Sequence, residues 1–413
     1  MPDVARLDRL AWRVAFGSSL ALAPMLLMSR ALSDALISLT GVLFLALCFG
    51  PRGDWGWARR PWHALGLAFW VWQIATSILR GDGHQIIESV VLIRIFVFLA
   101  ALEVWVLRDA QARRWFGYAV LATALWVGIE IWQQYLTGHN IFHEPPWGDG
   151  SLTGPIRKPR AGETFALLAF PAFLPVVVPL LQRKARAARI AGAAGLVLMA
   201  ATQVLIGQRM PTMLMLLGLC VAALMLPRLR FPVAAALAAG AALAALLRFL
   251  APLTYYKLVV HFSEQMRHFM ATQYAALFER AFAMIVAHPW FGLGFDGFRD
   301  HCLDIAYRHD LSWFSVPDAA GTFGCSIHPH NYYLQVATGA GLPGLALFVA
   351  LGVAWLIRLG RGAGGSARRL GPFVAASMIL WPVASTTSFF TLPNLGWILI
   401  ALGWGLAEAR RAA

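Results

Sequence analysis

The stretch His328–Gly344, HPHNYYLQVATGAGLPG, gathers groups able to do chemistry at the start of a long apolar run. Pro329 halts any helix arriving from upstream, and Asn331 can cap one that begins just after it. His330 is thereby held at the mouth of the apolar segment. A neutral imidazole, whose ordinary pKa is about 6.5, can take a proton from an alcohol at neutral pH. The same position equally suits a histidine that only packs or caps. His328 either orients His330 or packs beside it. Gly339, Gly341 and Gly344 permit another helix to come close.

The elements that must position this imidazole are membrane helices. Of 413 residues, 59% are hydrophobic and 13% charged, whereas a soluble domain carries roughly 25% charged residues. Disorder, fibres and a soluble enzyme are excluded together. A run of about 20 apolar residues crosses a hydrocarbon core of ~30 Å. The apolar runs here are long and continuous, unlike the alternating segments of ~10 residues in an outer-membrane barrel. The sequence predicts an all-α polytopic membrane protein with twelve spans, at 14–29, 35–50, 62–79, 86–107, 116–137, 164–182, 190–207, 210–227, 231–250, 333–357, 371–389 and 391–408. With the N-terminus inside, 21 of the 34 Lys and Arg residues fall in inner segments and every inner loop is populated. That bias places both termini in the cytoplasm. The net charge of +14 is therefore read as a topology signal rather than a nucleic-acid footprint. The first span lacks a convincing small-residue cleavage site and reads as a span, not a signal peptide.

The other 13 basic residues lie in outer loops or inside spans, where the topology rule discourages them, and ten of the eleven histidines also face outward. A basic, His-rich outer face suits an anionic substrate. Arg94 lies inside the fourth span and should face the protein interior, either paired with Glu88 or turned toward a phosphate. Arg157, Lys158 and Arg160 form a basic run ahead of the sixth span, readable as a solvated loop or an anion contact. The single integral membrane domain, 1–413, includes a large outer loop, 251–332, too long to be structureless. Within it, Leu258–Ala287 has apolar residues at helical spacing and is expected to lie on the membrane surface. Cys302 and Cys325 share this loop, where an oxidising compartment permits a disulfide; bonded and free forms both remain open. Cys48 and Cys220 read as packing residues within spans.

Three blocks together resemble the O-antigen ligase and O-antigen polymerase superfamily. They are Gly207-Gln208-Arg209, then Arg280 followed by His288-Pro289-Trp290-Phe291-Gly292-Leu293-Gly294-Phe295-Asp296-Gly297-Phe298, then His330-Asn331 with Leu334-Gln335 and Gly341-Leu342-Pro343-Gly344. They occur in the family order, and with the span layout the resemblance covers most of the chain. It implies a GT-C-like membrane glycosyltransferase acting at the periplasmic face of the bacterial inner membrane, without a metal or other cofactor and with inversion at the anomeric carbon. The donor would be a glycan on undecaprenyl pyrophosphate and the acceptor a lipid A-core oligosaccharide. On that reading Arg209 and Arg280 grip the departing pyrophosphate, because a guanidinium pairs bidentately with phosphate and stays charged. His330 is the base for the attacking hydroxyl. Arg160, Arg157, Arg94 and Asn331 are further candidate substrate contacts. Each arginine also fits an ordinary surface or headgroup contact. Tyr332, Tyr333, Trp290 and Trp313 fit sugar stacking or an interfacial aromatic belt. No metal-ligand spacing such as H-E-x-x-H occurs, and the outer carboxylates, Glu163 and Asp296 among them, are scattered along the chain. The alternatives are a polymerase joining repeat units on the carrier, a protein O-oligosaccharyltransferase, and a non-catalytic transporter of lipid-linked glycan, which would instead spread charge along a central pathway.

Overall fold

The computed structural model describes residues 2–50, 53–308, 311–316, 325–383 and 387–410. Residues 309–310 and 317–324 of the long loop and 384–386 of the eleventh predicted span lie outside the described residues. The described chain is helical apart from turns, irregular segments and one isolated bridge between Leu311 and Phe314.

The first six helices are α1 (Pro2–Met28), α2 (Arg30–Cys48), α3 (Pro61–Arg80), α4 (Gly83–Val91), α5 (Ile93–Ala101) and α6 (Ala110–Thr137). Then come α7 (Ala161–Gln182), α8 (Arg186–Ile206), α9 (Arg209–Met225) and α10 (Arg230–Leu250). Four short helices fill the long loop: α11 (Pro252–Tyr255), α12 (Phe262–Arg267), α13 (Gln273–Ala287) and α14 (Gly297–His301). The chain closes with α15 (Tyr332–Gly360), α16 (Ala367–Ile379) and α17 (Asn394–Ala409). Among the described residues, eight helical segments are long and apolar enough to cross a membrane, contributed by α1, α2, α4 with α5, α6, α7, α8, α10 and α15. Helices α9 and α17 are apolar but shorter. The predicted span 371–389 is not one helix: α16 stops at Ile379, and Pro382 follows. Thr387 and Ser388, which belong to no helix, supply hydroxyls used at the site described below.

The centre of the bundle is α7 and α17. Every residue of α7 from Ala161 to Ala172 is buried, and so is every residue of α17. A helix apolar all round must have neighbours all round, and α7 packs against α6, α8, α9, α16 and α17. Lipid tails are as apolar as Leu, so close van der Waals fit rather than water exclusion selects these neighbours. Gly218 of α9 illustrates it: a Cβ there would stand 2.4 Å from the Phe170 ring and 2.6 Å from the Met378 sulfur.

The long loop has its own small core of Leu277, Met284, Leu293, Phe298, Cys302 and Tyr307. Cys302 and Cys325 form a disulfide across it, with Cα atoms 5.6 Å apart. Helix α13 differs from the expected surface-lying amphipath. Of its buried residues, Ala281 and Met284 serve the loop core, Ala276 packs in a second small cluster with Val316, and the helix also contacts α15. Its apolar spacing is real, but the partner is protein.

Candidate active site

Helix α15 begins where the capping chemistry dictates. The Asn331 side chain accepts from the backbone N–H groups of Tyr333 at 2.9 Å and Leu334 at 3.1 Å, satisfying two otherwise unpaired donors of the first turn. Its amide nitrogen donates to Pro382 O at 2.8 Å. Asn331 is thus spent on structure. His330, just before the cap, has φ +51°, an uncommon backbone conformation for a non-glycine residue. Its backbone N–H donates to Nδ1 of His328 at 3.0 Å, so His328 orients the turn. The two imidazoles lie 4.2 Å apart, and the Tyr274 ring meets His330 edge-on at 5.3 Å. Burial pulls His330 down to about 4. It pulls His328 to about 3, helped by the charges of His330, Arg299 and Arg160. Both rings are neutral at pH 7, and His330 binds its proton less tightly than an ordinary histidine.

His330 and His328 line a cavity of about 350 Å³. The head of α7 contributes Arg160 and Glu163, and the segment leading into α17 contributes Thr387 and Asn394. Burial lowers the Arg160 pKa, and the charge of Arg30 lowers it further, against the opposing pull of Glu163. Two cations are therefore close enough to repel each other at this end of the bundle, a field that an anion would relieve. The Thr387 hydroxyl donates to Glu163 Oε1 at 3.1 Å.

The three sequence blocks build this cavity without lining all of it. Gln208, the residue before α9, accepts through Oε1 from the Gly162 N–H at 3.1 Å. This brace holds the head of α7 and hence Arg160. The loop 289–294 docks into a break in α15: Leu293 N–H donates to Thr338 O at 2.9 Å, Gly294 N–H to Gly339 O at 3.0 Å, and Leu342 N–H to Pro289 O at 2.7 Å. Gly341 sits at the break with φ +67°, where a Cβ would stand 2.4 Å from Trp290 O. Gly339 and Gly341, expected to admit a neighbouring helix, admit this loop instead, while Gly344 does approach a helix, facing Trp72 of α3. Gln335 joins the parts, its Nε2 reaching Asp296 Oδ1 at 3.1 Å and Ser388 Oγ at 2.7 Å while its Oε1 accepts from Phe389 N–H at 3.1 Å. Burial raises the Asp296 pKa to about 6, against the lowering effects of Arg299 and Gln335.

The arginines expected to share a pocket with His330 are elsewhere. Arg209, first residue of α9, donates to Gln265 of α12. Arg280 is 4% exposed and donates to Cys302 O at 3.2 Å; burial and the nearby Arg308 lower its pKa. Neither is among the residues lining the cavity. Arg94 pairs with Asp34 of α2 at 3.1 Å rather than with Glu88, which lies 3.7 Å from His84. Arg157 lies over the Phe142 ring at 4.9 Å and is largely exposed. Of the predicted contacts, the cavity unites His330 and Arg160.

Glu163, Thr387, Asn394 and Trp397 were not singled out by type or spacing as contacts. Their participation depends on α7 and α17 converging, which no local pattern announces. Among the described residues, no three His, Cys, Asp or Glu side chains cluster as metal ligands would.

No curated protein matches the chain. Residues 194–349 match the family model described as O-antigen ligase, a span that contains all three sequence blocks. That match supports assigning the chain to the O-antigen ligase family.

Proposed function

We propose that this protein is an O-antigen ligase-type glycosyltransferase. It moves a glycan from undecaprenyl diphosphate to a hydroxyl of a lipid A-core acceptor at the periplasmic face of the inner membrane. The observation that carries the reading is the shared cavity of His330 and Arg160, a neutral proton acceptor and a half-buried cation on one wall. The far ends of α7, α9 and α15 are followed by or carry Arg183, Arg228 and Arg358, the bias of a cytoplasmic side. That supports placing the cavity outward, with both termini inward.

The acceptor oxygen attacks the anomeric carbon, its proton passes to a ring nitrogen of His330, and the bond from that carbon to the diphosphate oxygen breaks. The bonding pair leaves with the diphosphate. Attack from the face opposite the leaving group inverts the configuration. Arg160, assisted at the rim by Lys158, offsets the charge that develops on the departing oxygen, in a site drier than bulk water. An imidazole with pKa about 4 is a weak base. A bound diphosphate favours its protonated form and raises that value as the reaction needs. Arg280 and Arg209 serve this arrangement by fixing α13 to the disulfide segment and α9 to α12. The chemistry requires no metal. Turnover in excess chelator is the expected result, and activity restored only by a divalent ion would contradict it.

The test incubates purified protein with carrier-linked glycan and lipid A-core in detergent. Glycan on the core supports the ligase. Longer carrier-linked chains point to a polymerase, which shares the donor and differs in the acceptor. No product of either kind, with intact substrates, contradicts glycosyl transfer.

A further inference from the structure

The tail of α16 lies beside the head of α15, where Tyr333 Oη donates to Leu380 O at 2.6 Å, so the head of α16 lies at the end of the bundle away from His330. There α6 and α16 line one open cavity of about 520 Å³, α6 through Arg114, Trp115 and Tyr118 and α16 through Arg368. Two adjacent arginines of α6 are treated oppositely. Arg113 is 2% exposed and lies 3.3 Å from the Glu408 carboxylate. Arg114 is exposed and donates through Nε to Tyr118 Oη at 3.0 Å, which leaves the fork of its terminal nitrogens for a further acceptor. The arginines that are ion-paired among the described residues are Arg60, Arg94, Arg113, Arg157 and Arg299; Arg114 and Arg368 are not among them. Asp109, the carboxylate nearest Arg114 in sequence, caps α6 by accepting from Ala112 N–H at 2.7 Å and does not line the cavity. Two cations with no carboxylate among the lining residues make a concave surface that selects an anion. A second feature adjoins it. Trp115 and Tyr118 meet edge-on at 5.8 Å, and Ala122, Leu125 and Ile129 continue their exposed face along α6 at spacings of three and four residues.

We propose that this cavity binds an anionic phospholipid of the leaflet opposite the His330 cavity. Arg114 and Arg368 hold its phosphate oxygens, and one acyl chain lies along Tyr118, Ala122, Leu125 and Ile129. The proposal does not depend on glycosyl transfer; the orientation given above only names that leaflet as the cytoplasmic one. A guanidinium fork pairs with phosphate bidentately, and basic pockets between helix ends on the cytoplasmic side suit lipid headgroups. Trp and Tyr belong at the headgroup level, their apolar bodies toward the acyl chains. A soluble phosphate compound would use the arginines and leave the apolar stripe bare. A zwitterionic lipid would cover the stripe but set its ammonium against two guanidinium groups. A lipid of net negative charge satisfies both features together.

The test titrates the purified full-length protein in detergent with phosphatidylglycerol and with phosphatidylethanolamine of the same acyl chains, counting bound lipids by native mass spectrometry. Wild type is expected to bind one phosphatidylglycerol more tightly than phosphatidylethanolamine. Arg114→Ala and Arg368→Ala should each weaken it about fivefold, the effect of about 1 kcal/mol per arginine near an anionic lipid, and the double variant about twenty-fivefold. Both side chains are exposed, so the variants are expected to fold. Arg186→Ala removes an exposed arginine at the head of α8 that is outside the cavity and should change nothing. Phosphatidylglycerol should also raise the unfolding temperature of wild type and not that of the double variant, because a ligand held only by the folded state stabilises it. A wild type without preference between the two lipids, or a preference that survives in the double variant, overturns the site. An equal loss in Arg186→Ala also overturns it, showing diffuse surface charge only. Displacement of the lipid by glycerol phosphate at equal concentration would assign the cavity to a soluble phosphate compound instead.

Discussion

His330 combines a positive backbone φ, a burial-lowered pKa and a place on the cavity wall. A residue held in an uncommon conformation by its neighbours is one whose side-chain direction matters. Its neighbour His328 accepts the His330 N–H through Nδ1 and can do so only while that nitrogen is unprotonated. Because the free-enzyme pKa of His330 is about 4, kcat/KM should stay flat down to about pH 5 and fall on an acid limb near 4. A limb near 6.5 would mean an ordinary, solvated histidine. The arginines divide by role. Arg160→Ala should weaken donor binding on the order of a hundredfold, as for a desolvated charge contact, with little change in thermal unfolding. Arg280→Ala should lower the unfolding temperature of the protein, because it removes the buried donor to Cys302 O. The reverse pattern, measured by donor titration and melting in one detergent, would return the diphosphate grip to Arg280.

The element that matters most is α15, broken at Gly341 so that backbone from 289–294 can bond into it. Gly341→Ala meets both a disfavoured φ and a Cβ 2.4 Å from Trp290 O. The loop should undock, α13 and Tyr274 should lose their seat beside His330, and activity should fall more than tenfold with an altered hydrogen-exchange pattern over 289–294. Normal exchange there would contradict the docking role. The cap on Asn331, the helix start at Tyr332 and the prominence of the glycines were legible in the sequence because capping and turn preferences are local. What Gly339 and Gly341 approach was not legible, since helix and loop backbones leave the same small-residue signature. The partner of Arg94 was missed for a related reason: Glu88 is near in sequence, but Asp34 is near in space. In the π-helical turn Leu102–Val106 that follows α5, Glu103 likewise escaped notice. It receives Arg60 at 2.9 Å, Trp62 at 3.1 Å and His63 at 3.0 Å where the helix widens into a π-turn.

At the scale of the whole molecule, composition revealed a helical membrane protein, and the apolar runs located most helices to within a few residues. Among the described residues, eight of the twelve predicted spans correspond to helical segments long and apolar enough to cross a membrane. Short helices such as α16 are buried by neighbours rather than by length, so apolarity alone overstates how far they run. The convergence of α7, α15 and α17 on one cavity came only with tertiary structure, and so did the exclusion of Arg209 and Arg280 from it. Stability should carry the imprint of the buried ionisable groups in this end of the bundle. Asp296 has a folded pKa raised to about 6, so its contribution is fully present below its unfolded value and is lost as pH rises through 6. His330 and His328, with lowered values, act in the opposite sense: their contribution is full above about 6.5 and is lost as pH falls. Asp296→Asn should therefore be increasingly stabilising relative to wild type between pH 4.5 and 7.5, by about 2 kcal/mol at the upper end. A difference in unfolding temperature that does not vary with pH would show that the carboxyl is not held in a low-dielectric setting.

The claim on which the rest depends is that His330 removes the acceptor proton in the cavity it shares with Arg160. Single-turnover transfer by His330→Ala, with donor affinity measured on the same preparation, tests it most directly. The account predicts donor binding close to wild type and transfer slowed by about 10²–10⁴-fold, the usual worth of a general base. Transfer at the wild-type rate by a folded, donor-saturated His330→Ala protein would contradict it.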